Sequence, residues 1–550
     1  MVPGRMMVMP LTISHLVERA AQYFGRSEVV SVRPDKSRNR TSYTEIAERS
    51  RRLASALAKR GVKEGDRVAT LCWNHREHLE AYLGVPAMGA VVHTLNLRLH
   101  PSELAYIANH AEDRVVIVDR SLLPLFDKFK EQIKSLELIV IVDDCKTGPG
   151  PNEDTRAVDY EAFIANGDPK HAFPVLDENA AAMLCYTSGT TGNPKGVLYS
   201  HRSTMLHAMV AAMPNHIGCA VDDVMLPVVP MFHAAAWGVP YVSILAGAKI
   251  VFPGPHLDPA SLVTLMSEER ATVAAGVPTI WLGILALLDN AVKEGKKHDL
   301  SSVRTMVIGG SAAPPSLIDG FRERHGLIVT HAWGMTETNP LGTLARVKPH
   351  LRGDDKKELE IRSTQGFAVP FVETRHTDDT GKVLPWDGSS MGELEVRGPW
   401  VAKSYFGDEG KDRFTKDGWF KTGDVVTIDT EGYVTITDRS KDVIKSGGEW
   451  ISSVAVENAL MSHPSVLEAA VFAGRHPKWD ERPVAAIVLK PNTTATKEDL
   501  DKHLASALQI RYGTPDAYVF VEQIPRTSTG KFLKTRLREL YGNILIEGAK

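Results

Sequence analysis

The sequence lacks several features that would have narrowed its function at once. It holds four cysteines in 550 residues, Cys72, Cys145, Cys185 and Cys219. None has the paired spacing of a metal or redox motif, which excludes a zinc module and a disulfide framework. Three lie in apolar surroundings and read as inert buried thiols, in keeping with a reducing cytoplasm. Neither sign of charge is in excess: 64 Lys and Arg stand against 67 Asp and Glu, a net charge of −3. That balance excludes field-driven binding to nucleic acid or to an anionic membrane, so any nucleotide is held at a site. No signal peptide is expected, because the apolar run 6–11 is short and Glu18 and Arg19 follow it. A single long stretch, 224–248, has no Lys, Arg, Asp or Glu. It could span a bilayer by length, but Pro227, Pro230, Gly238 and Pro240 break it and His233 lies inside. Buried core or the wall of an apolar pocket is the better reading, leaving at most peripheral membrane contact.

What is present is an ordinary globular composition, 43% hydrophobic and 24% charged. The chain is too long for one core, since cores stop growing near ~250–300 residues. Short β-branched runs alternate with amphipathic segments. Strands are expected at 66–73, 113–119 and 136–143, with a helix at 101–110. Such alternation implies α/β layers with mostly parallel sheets. The Gly-Pro-Gly-Pro region within 146–155 reads as a loop. The texture changes after about residue 438. Helices are expected there at 449–461, 499–510 and 532–541, and strands at 466–473, 483–490 and 517–521, which makes a small α+β unit.

The stretch YTSGTTGNPKG, residues 186–196, is dense in glycine and hydroxyls. It is not a Walker A loop, because Lys195 follows Asn193-Pro194 and precedes Gly196. The physics is related. Gly189 and Gly192 let backbone N–H groups approach an anion, Thr187, Ser188, Thr190 and Thr191 add hydroxyls, and Lys195 adds a charge. A polyphosphate is the natural guest.

Five further segments follow in order: GGSAAP at 309–314, HAWGMTE at 331–337, WFKTGD at 419–424, DRSKDVIKSGGE at 438–449 and PRTSTGK at 525–531. With them, nearly the whole chain resembles the adenylate-forming superfamily of acyl-CoA synthetases, amino-acid adenylation domains and beetle luciferases. Within it the likeness points to bacterial medium- and long-chain fatty acyl-CoA ligases, with methylthioalkanoate ligases also near. The resemblance implies a large, multi-subdomain N-terminal α/β domain, 1–437, that binds ATP and the acyl group. A small mobile C-terminal α+β domain, 438–550, follows a hinge near Asp438.

The resemblance also implies roles. Gly310, Ser311 and Ala312 sit at a strand-to-helix exit, where α/β sheets bind ligands, and line the adenine and acyl side. His331, Ala332, Trp333, Gly334 and Met335 belong to the nucleotide wall, with Trp333 offering its face to adenine. Thr336 donates to the α-phosphate and Glu337 ligates Mg2+. Asp424, which follows Thr422-Gly423 at the end of a strand-like run, accepts the ribose hydroxyls, and Arg439 reaches ribose or phosphate. Lys531 is the catalytic cation, neutralising the charge that builds as a carboxylate meets the α-phosphate. After rotation of the small domain, Lys445, Gly447, Gly448 and Glu449 would replace it and border coenzyme A, the glycines permitting close approach.

The segment PMFHAAAWG at 230–238 resembles the border of the acyl site in fatty acyl-CoA ligases. It carries no acidic residue, which disfavours amino-acid substrates, since a buried ammonium needs a partner. His233, Trp237, Gly238 and Val277 are the expected substrate contacts, and each buried CH₂ would contribute about 0.8 kcal/mol. The expected function is therefore an ATP-dependent, cytoplasmic fatty-acid–CoA ligase. The rivals are a ligase for a short acid such as 3-(methylthio)propionate, an aryl-acid ligase, a luciferase-type oxygenase and a catalytically silent acyl- or nucleotide-binding protein. Relatives imply a homodimer, with 7–24 as a contact.

Overall fold

Two sheets with parallel interiors dominate the chain. The computed structural model describes residues 1–145, 154–187, 193–446, 449–507, 513–526 and 531–547. The first sheet has seven strands in the order 157–159, 138–142, 115–119, 67–71, 91–94, 181–186 and 196–200. All its pairings are parallel except that of the last two strands. The second has nine strands and runs parallel from 28–32 through to 329–334, with antiparallel strands at both edges. Strands Val115–Asp119 and Leu138–Val142 are buried at every position, as strands covered by helices on both faces must be. With Arg67–Leu71 they lie where β-branched runs were expected, and helix Pro101–Ala111 begins at a proline in its first turn.

The apolar stretch 224–248 is divided among strand Val224–Pro227, the turn Ala234–Gly238 and helix Val239–Ala246, nearly all buried. Among the described residues no helix is long and apolar enough to cross a membrane. All four cysteines are free. Burial pushes the Cys185 thiol up to about 11 and that of Cys219 up to about 12, so neither is a thiolate at neutral pH. Most of the expected loop at 146–155 lies outside the described residues.

A four-stranded antiparallel sheet, Glu373–Thr377, Gly392–Arg397, Phe420–Ile428 and Val434–Arg439, packs beside these layers. Asp424 was expected at a strand end. It sits mid-strand instead, because Phe420–Ile428 is paired on both sides and continues past it.

A separate five-stranded sheet, with its own hydrophobic clusters, forms the C-terminal domain. Its expected helix at 449–461 starts later. Residues Glu449–Ile451 pair as a short strand with Ile444–Ser446, and Ser452 caps helix Ser453–Met461 by accepting from Ala455 N. Pairing takes the first residues, and the serine cap sets the start. Helix Lys497–Ala507 ends where the description stops, and helix Lys534–Tyr541 starts two residues later than expected.

A buried ionic group ties residue 438 to this domain. Asp438 Oδ2 accepts from Ser453 N at 2.8 Å, and Lys534 Nζ meets Glu457 Oε1 at 2.7 Å and bonds Ser453 Oγ. Burial works against the Lys534 charge, but Glu457 and Asp438 outweigh it and its pKa is raised. Burial lifts both carboxyls above their usual range while Lys534 pulls them back. Lys534→Met would leave two buried carboxyls without their cation. Breaking such a pair costs about 3–5 kcal/mol, so the C-terminal domain should melt well before the rest in calorimetry. Unchanged melting would contradict a structural role for the pair.

Candidate active site

The glycine-rich segment closes a hairpin. Strands Ala181–Tyr186 and Gly196–Ser200 pair antiparallel up to Tyr186 opposite Gly196. Thr187 N donates to Lys195 O at 2.9 Å, and Lys195 N donates to Thr187 Oγ1 at 3.2 Å, pinching the loop at its base. Ser188, Gly189, Thr190, Thr191 and Gly192 lie outside the described residues. Lys195 Nζ stands 5.4 Å from the centre of the Tyr405 ring.

In the nine-stranded sheet, strands Thr305–Ile308 and Val329–Gly334 run parallel and deliver their carboxyl ends side by side. Gly309 and Gly310 leave the first; Gly310 has φ +84°, a conformation glycine adopts freely. Ser311 is exposed and Ala312 half-buried. The second strand carries His331, Ala332, Trp333 and Gly334, and Met335 follows it. Burial pushes His331 down to about 4. A Cβ on Gly334 would lie 2.0 Å from Pro340 O, so no larger residue fits.

Trp333 is buried, with its six-membered ring against Gly342, and its Nε1 donates to Asp424 Oδ2 at 2.9 Å. Arg439 Nε meets the other oxygen, Oδ1, at 2.7 Å. Asp424, 1% exposed, thus already holds one donor on each oxygen. A carboxylate offers about four lone-pair sites, so it retains capacity for two hydroxyl donors. Thr336 and Glu337 are buried just beyond the strand. Tyr199 Oη donates to Thr336 O at 2.6 Å, and Tyr405 Oη donates to Glu337 Oε1 at 2.6 Å.

Lys531, contributed by the C-terminal domain, joins this group. Burial and the Arg439 charge push it down to about 8, while Asp424 and Glu337 pull the other way. His233 lies in the same field: burial, reinforced by Lys531 and Arg98, pushes it down to about 4, so it is neutral at pH 7. Segments nearly 300 residues apart in sequence thus bring Lys531 and Arg439 within electrostatic reach of two carboxylates and a neutral imidazole.

Three of the expected acyl residues, Trp237, Val277 and Gly310, also meet. The Trp237 indole packs on Gly309 and Gly310, where an added Cβ would lie 3.3 Å and 3.7 Å from the ring, and the Cβ added at Gly310 would also lie 3.4 Å from Val277 Cγ1. Trp237 is carried on an unusual turn. Ala234, Ala235, Ala236 and Trp237 have φ of 42°, 55°, 49° and 56°, followed by Gly238 at 73°. Left-handed backbone costs non-glycine residues roughly 1–2 kcal/mol each, a strain the enclosing core must hold. A Cβ on Gly238 would meet the His207 ring at 2.7 Å.

Lys445 is elsewhere. It is exposed on strand Ile444–Ser446, and its N donates to Glu481 Oε2 at 2.8 Å. The structure places Glu449 on the partner strand of that hairpin; Gly447 and Gly448 lie outside the described residues. Sequence reasoning missed Tyr405, Tyr199 and Arg98. Tyr199 gave little signal, since Val197, Leu198 and Tyr199 are all apolar and only the burial alternates, and Tyr405 lies in irregular chain between motifs.

Comparison with known proteins agrees with this architecture. Residues 16–406 match the AMP-binding enzyme family, and residues 455–531 match the AMP-binding enzyme C-terminal domain. The chain is 48% identical to a long-chain-fatty-acid–CoA ligase of Thermus thermophilus, covering 98% of this chain and 97% of that protein. It is 46% identical to a medium-chain-fatty-acid–CoA ligase of Ectopseudomonas oleovorans, covering 99% of each. A 3-methylmercaptopropionyl-CoA ligase of Ruegeria lacuscaerulensis is 45% identical over 98% of this chain and 99% of its own. Among solved structures, an anthranilate CoA ligase in complex with anthranoyl-AMP superposes with a TM-score of 0.86 over 99% of both chains, at 26% identity. With the larger match covering most of the sequence, the chain belongs to the AMP-binding enzyme family, in the adenylate-forming superfamily.

Proposed function

We propose that the protein is an AMP-forming acyl-CoA ligase acting on medium- or long-chain fatty acids. Carboxylate and ATP give acyl-AMP and pyrophosphate; the thiol of coenzyme A then displaces AMP. The observation that carries this reading is that Lys531 lies within electrostatic reach of the buried carboxylates Asp424 and Glu337, with Arg439 paired to Asp424. Carboxylate and α-phosphate repel, and an ammonium held between them stabilises the charge that develops as they join. Asp424 and Arg439 hold the ribose, Trp333 and the 331–335 strand end border adenine, and Thr336 and Lys195 bind phosphate oxygens. The neutral His233 can hydrogen-bond near the carboxylate without adding charge.

Mg2+ fits this donor set, since Glu337 offers a buried hard oxygen beside the Thr336 hydroxyl. Bound with the triphosphate, it supplies further neutralisation of phosphate charge. Lys531 must leave before a thiol can enter. The small domain, 438–550, is proposed to turn about Asp438 and bring Lys445 to Glu449 to the coenzyme A channel. A cytoplasmic location and a homodimer complete the proposal.

The apolar wall of Trp237, Val277 and the alanine turn supports an alkyl substrate. The relative named for 3-methylmercaptopropionyl-CoA favours a second reading, a short thioether acid. ATP–pyrophosphate exchange measured over acids from C2 to C16, with 3-(methylthio)propionate alongside, separates the two. Exchange should rise with chain length beyond C6; exchange confined to acids of four carbons or fewer and to the thioether acid would overturn the fatty-acid reading.

A further inference from the structure

Tyr405 is one of the residues at this site that no motif marked. Its hydroxyl donates to Glu337 Oε1 at 2.6 Å, and its ring is 4% exposed. The ring is fixed edge-on between Phe414 and Phe420, with centroids 5.7 Å and 6.4 Å away. On the same ring stands the Lys195 ammonium, 5.4 Å from the centroid, a cation–π distance. Gly410, at φ +56°, closes the arrangement: a Cβ there would lie 3.0 Å from Lys195 Nζ and 3.1 Å from the Tyr405 ring. The backbone nearby is clamped as well. Ala402 N donates to Glu337 O at 2.8 Å, and Trp400 Nε1 donates to Leu341 O at 3.0 Å. One phenol therefore touches both the carboxylate read as the Mg2+ ligand and the lysine that ends the phosphate loop.

We propose that Tyr405 is a positioning residue for the metal–triphosphate. Its hydroxyl occupies one face of Glu337 Oε1 and fixes the rotation of that carboxylate toward the phosphates, while its ring seats Lys195 over the same phosphates. Partners that orient a ligating carboxylate change metal affinity by about 10–100-fold when removed. The inference rests on the reading of Glu337 as the metal ligand, so the test includes that residue.

Three variants, Tyr405→Phe, Tyr405→Leu and Glu337→Gln, are compared with wild type in the full chain. Mg2+ dependence of pyrophosphate exchange is measured together with Mn2+ binding by electron paramagnetic resonance in the presence of non-hydrolysable α,β-methylene-ATP. Tyr405→Phe keeps the ring and loses the hydroxyl. It should raise the half-saturating Mg2+ concentration about tenfold, weaken Mn2+ binding by the same factor, and recover rate as Mg2+ is raised. Tyr405→Leu should in addition raise KM for the nucleotide, because Lys195 loses its ring. Melting curves confirm that the variants fold, and a purely structural tyrosine would lower the melting point without moving the Mn2+ affinity. If Glu337→Gln weakens Mn2+ binding and Tyr405→Phe does not, the positioning role is wrong. If Glu337→Gln itself leaves Mn2+ binding intact, the reading of Glu337 fails first, and the role of Tyr405 with it.

Discussion

Lys531→Met should cut acyl-adenylate formation by about 10²–10³ or more, while thiolysis of supplied acyl-AMP by coenzyme A continues near the wild-type rate. The factor is that of removing one preorganised charge partner from a developing anion, about 3–4 kcal/mol. Methionine keeps the length and apolar stem of the side chain, so the loss reports the ammonium and not the packing. The selectivity between half-reactions is the sharper part, because the proposed cycle withdraws Lys531 before the thiol arrives. Equal loss in both steps would mean that the lysine is structural, and no loss in the first would remove the basis of the mechanism.

The same lysine sets a pH dependence. Burial and Arg439 push Lys531 from 10.5 down to about 8. Below about 8 the buried amine is charged and competent; above it the proton leaves and adenylation should fall. The sign for closure is opposite. Burying a charged amine opposes closure below about 8, and that opposition fades as pH rises from about 8 toward the exposed value near 10.5. The phosphates of ATP favour the charged form and should move the kinetic limb upward at saturating nucleotide. Single-turnover pyrophosphate release from pH 6.5 to 10 should show this limb in wild type and its absence in Lys531→Met.

Asp424→Ala should lower kcat/KM for ATP by about 10²–10³. Hydrogen bonds to a charged group contribute about 1.5–3 kcal/mol each, and two ribose hydroxyls are at stake. The carboxylate also holds Arg439 and the Trp333 indole, so its loss loosens two more parts of the nucleotide pocket. Substrate analogues separate these contributions. Wild type should prefer ATP to 2′-deoxy-ATP by roughly the worth of one such bond, and in Asp424→Ala the preference should shrink toward unity. Retained discrimination would move the ribose contact to another residue and leave Asp424 as the support for Arg439 and Trp333.

These two residues also mark how far sequence alone reaches. Strands such as Val115–Asp119 and Leu138–Val142 were readable because burial on both faces demands an unbroken apolar run. The start of helix Ser453–Met461 was misplaced because Glu449–Ile451 can be read with the helix until its hairpin partner is known. Asp424 was placed at a strand end for the same reason: its strand continues only because neighbours on both sides supply hydrogen bonds. Tyr405 went unseen because nothing in its local sequence signals a contact with Glu337, a residue 68 positions away.

Composition, alternation and six ordered motifs were enough by themselves to specify layered α/β architecture and to single out the glycine- and hydroxyl-rich segment and the charged residues as candidates for handling anions. Those properties are local: they follow from side-chain volume, backbone freedom and charge within a few neighbouring positions. What tertiary structure alone decided is the company each group keeps. It set Lys531 within electrostatic reach of Asp424, Glu337 and His233, gave Asp424 its two donors, and placed Tyr405 between Glu337 and Lys195. Electrostatic strength depends on separation in space and on exclusion of water, and neither is written in the order of residues along the chain.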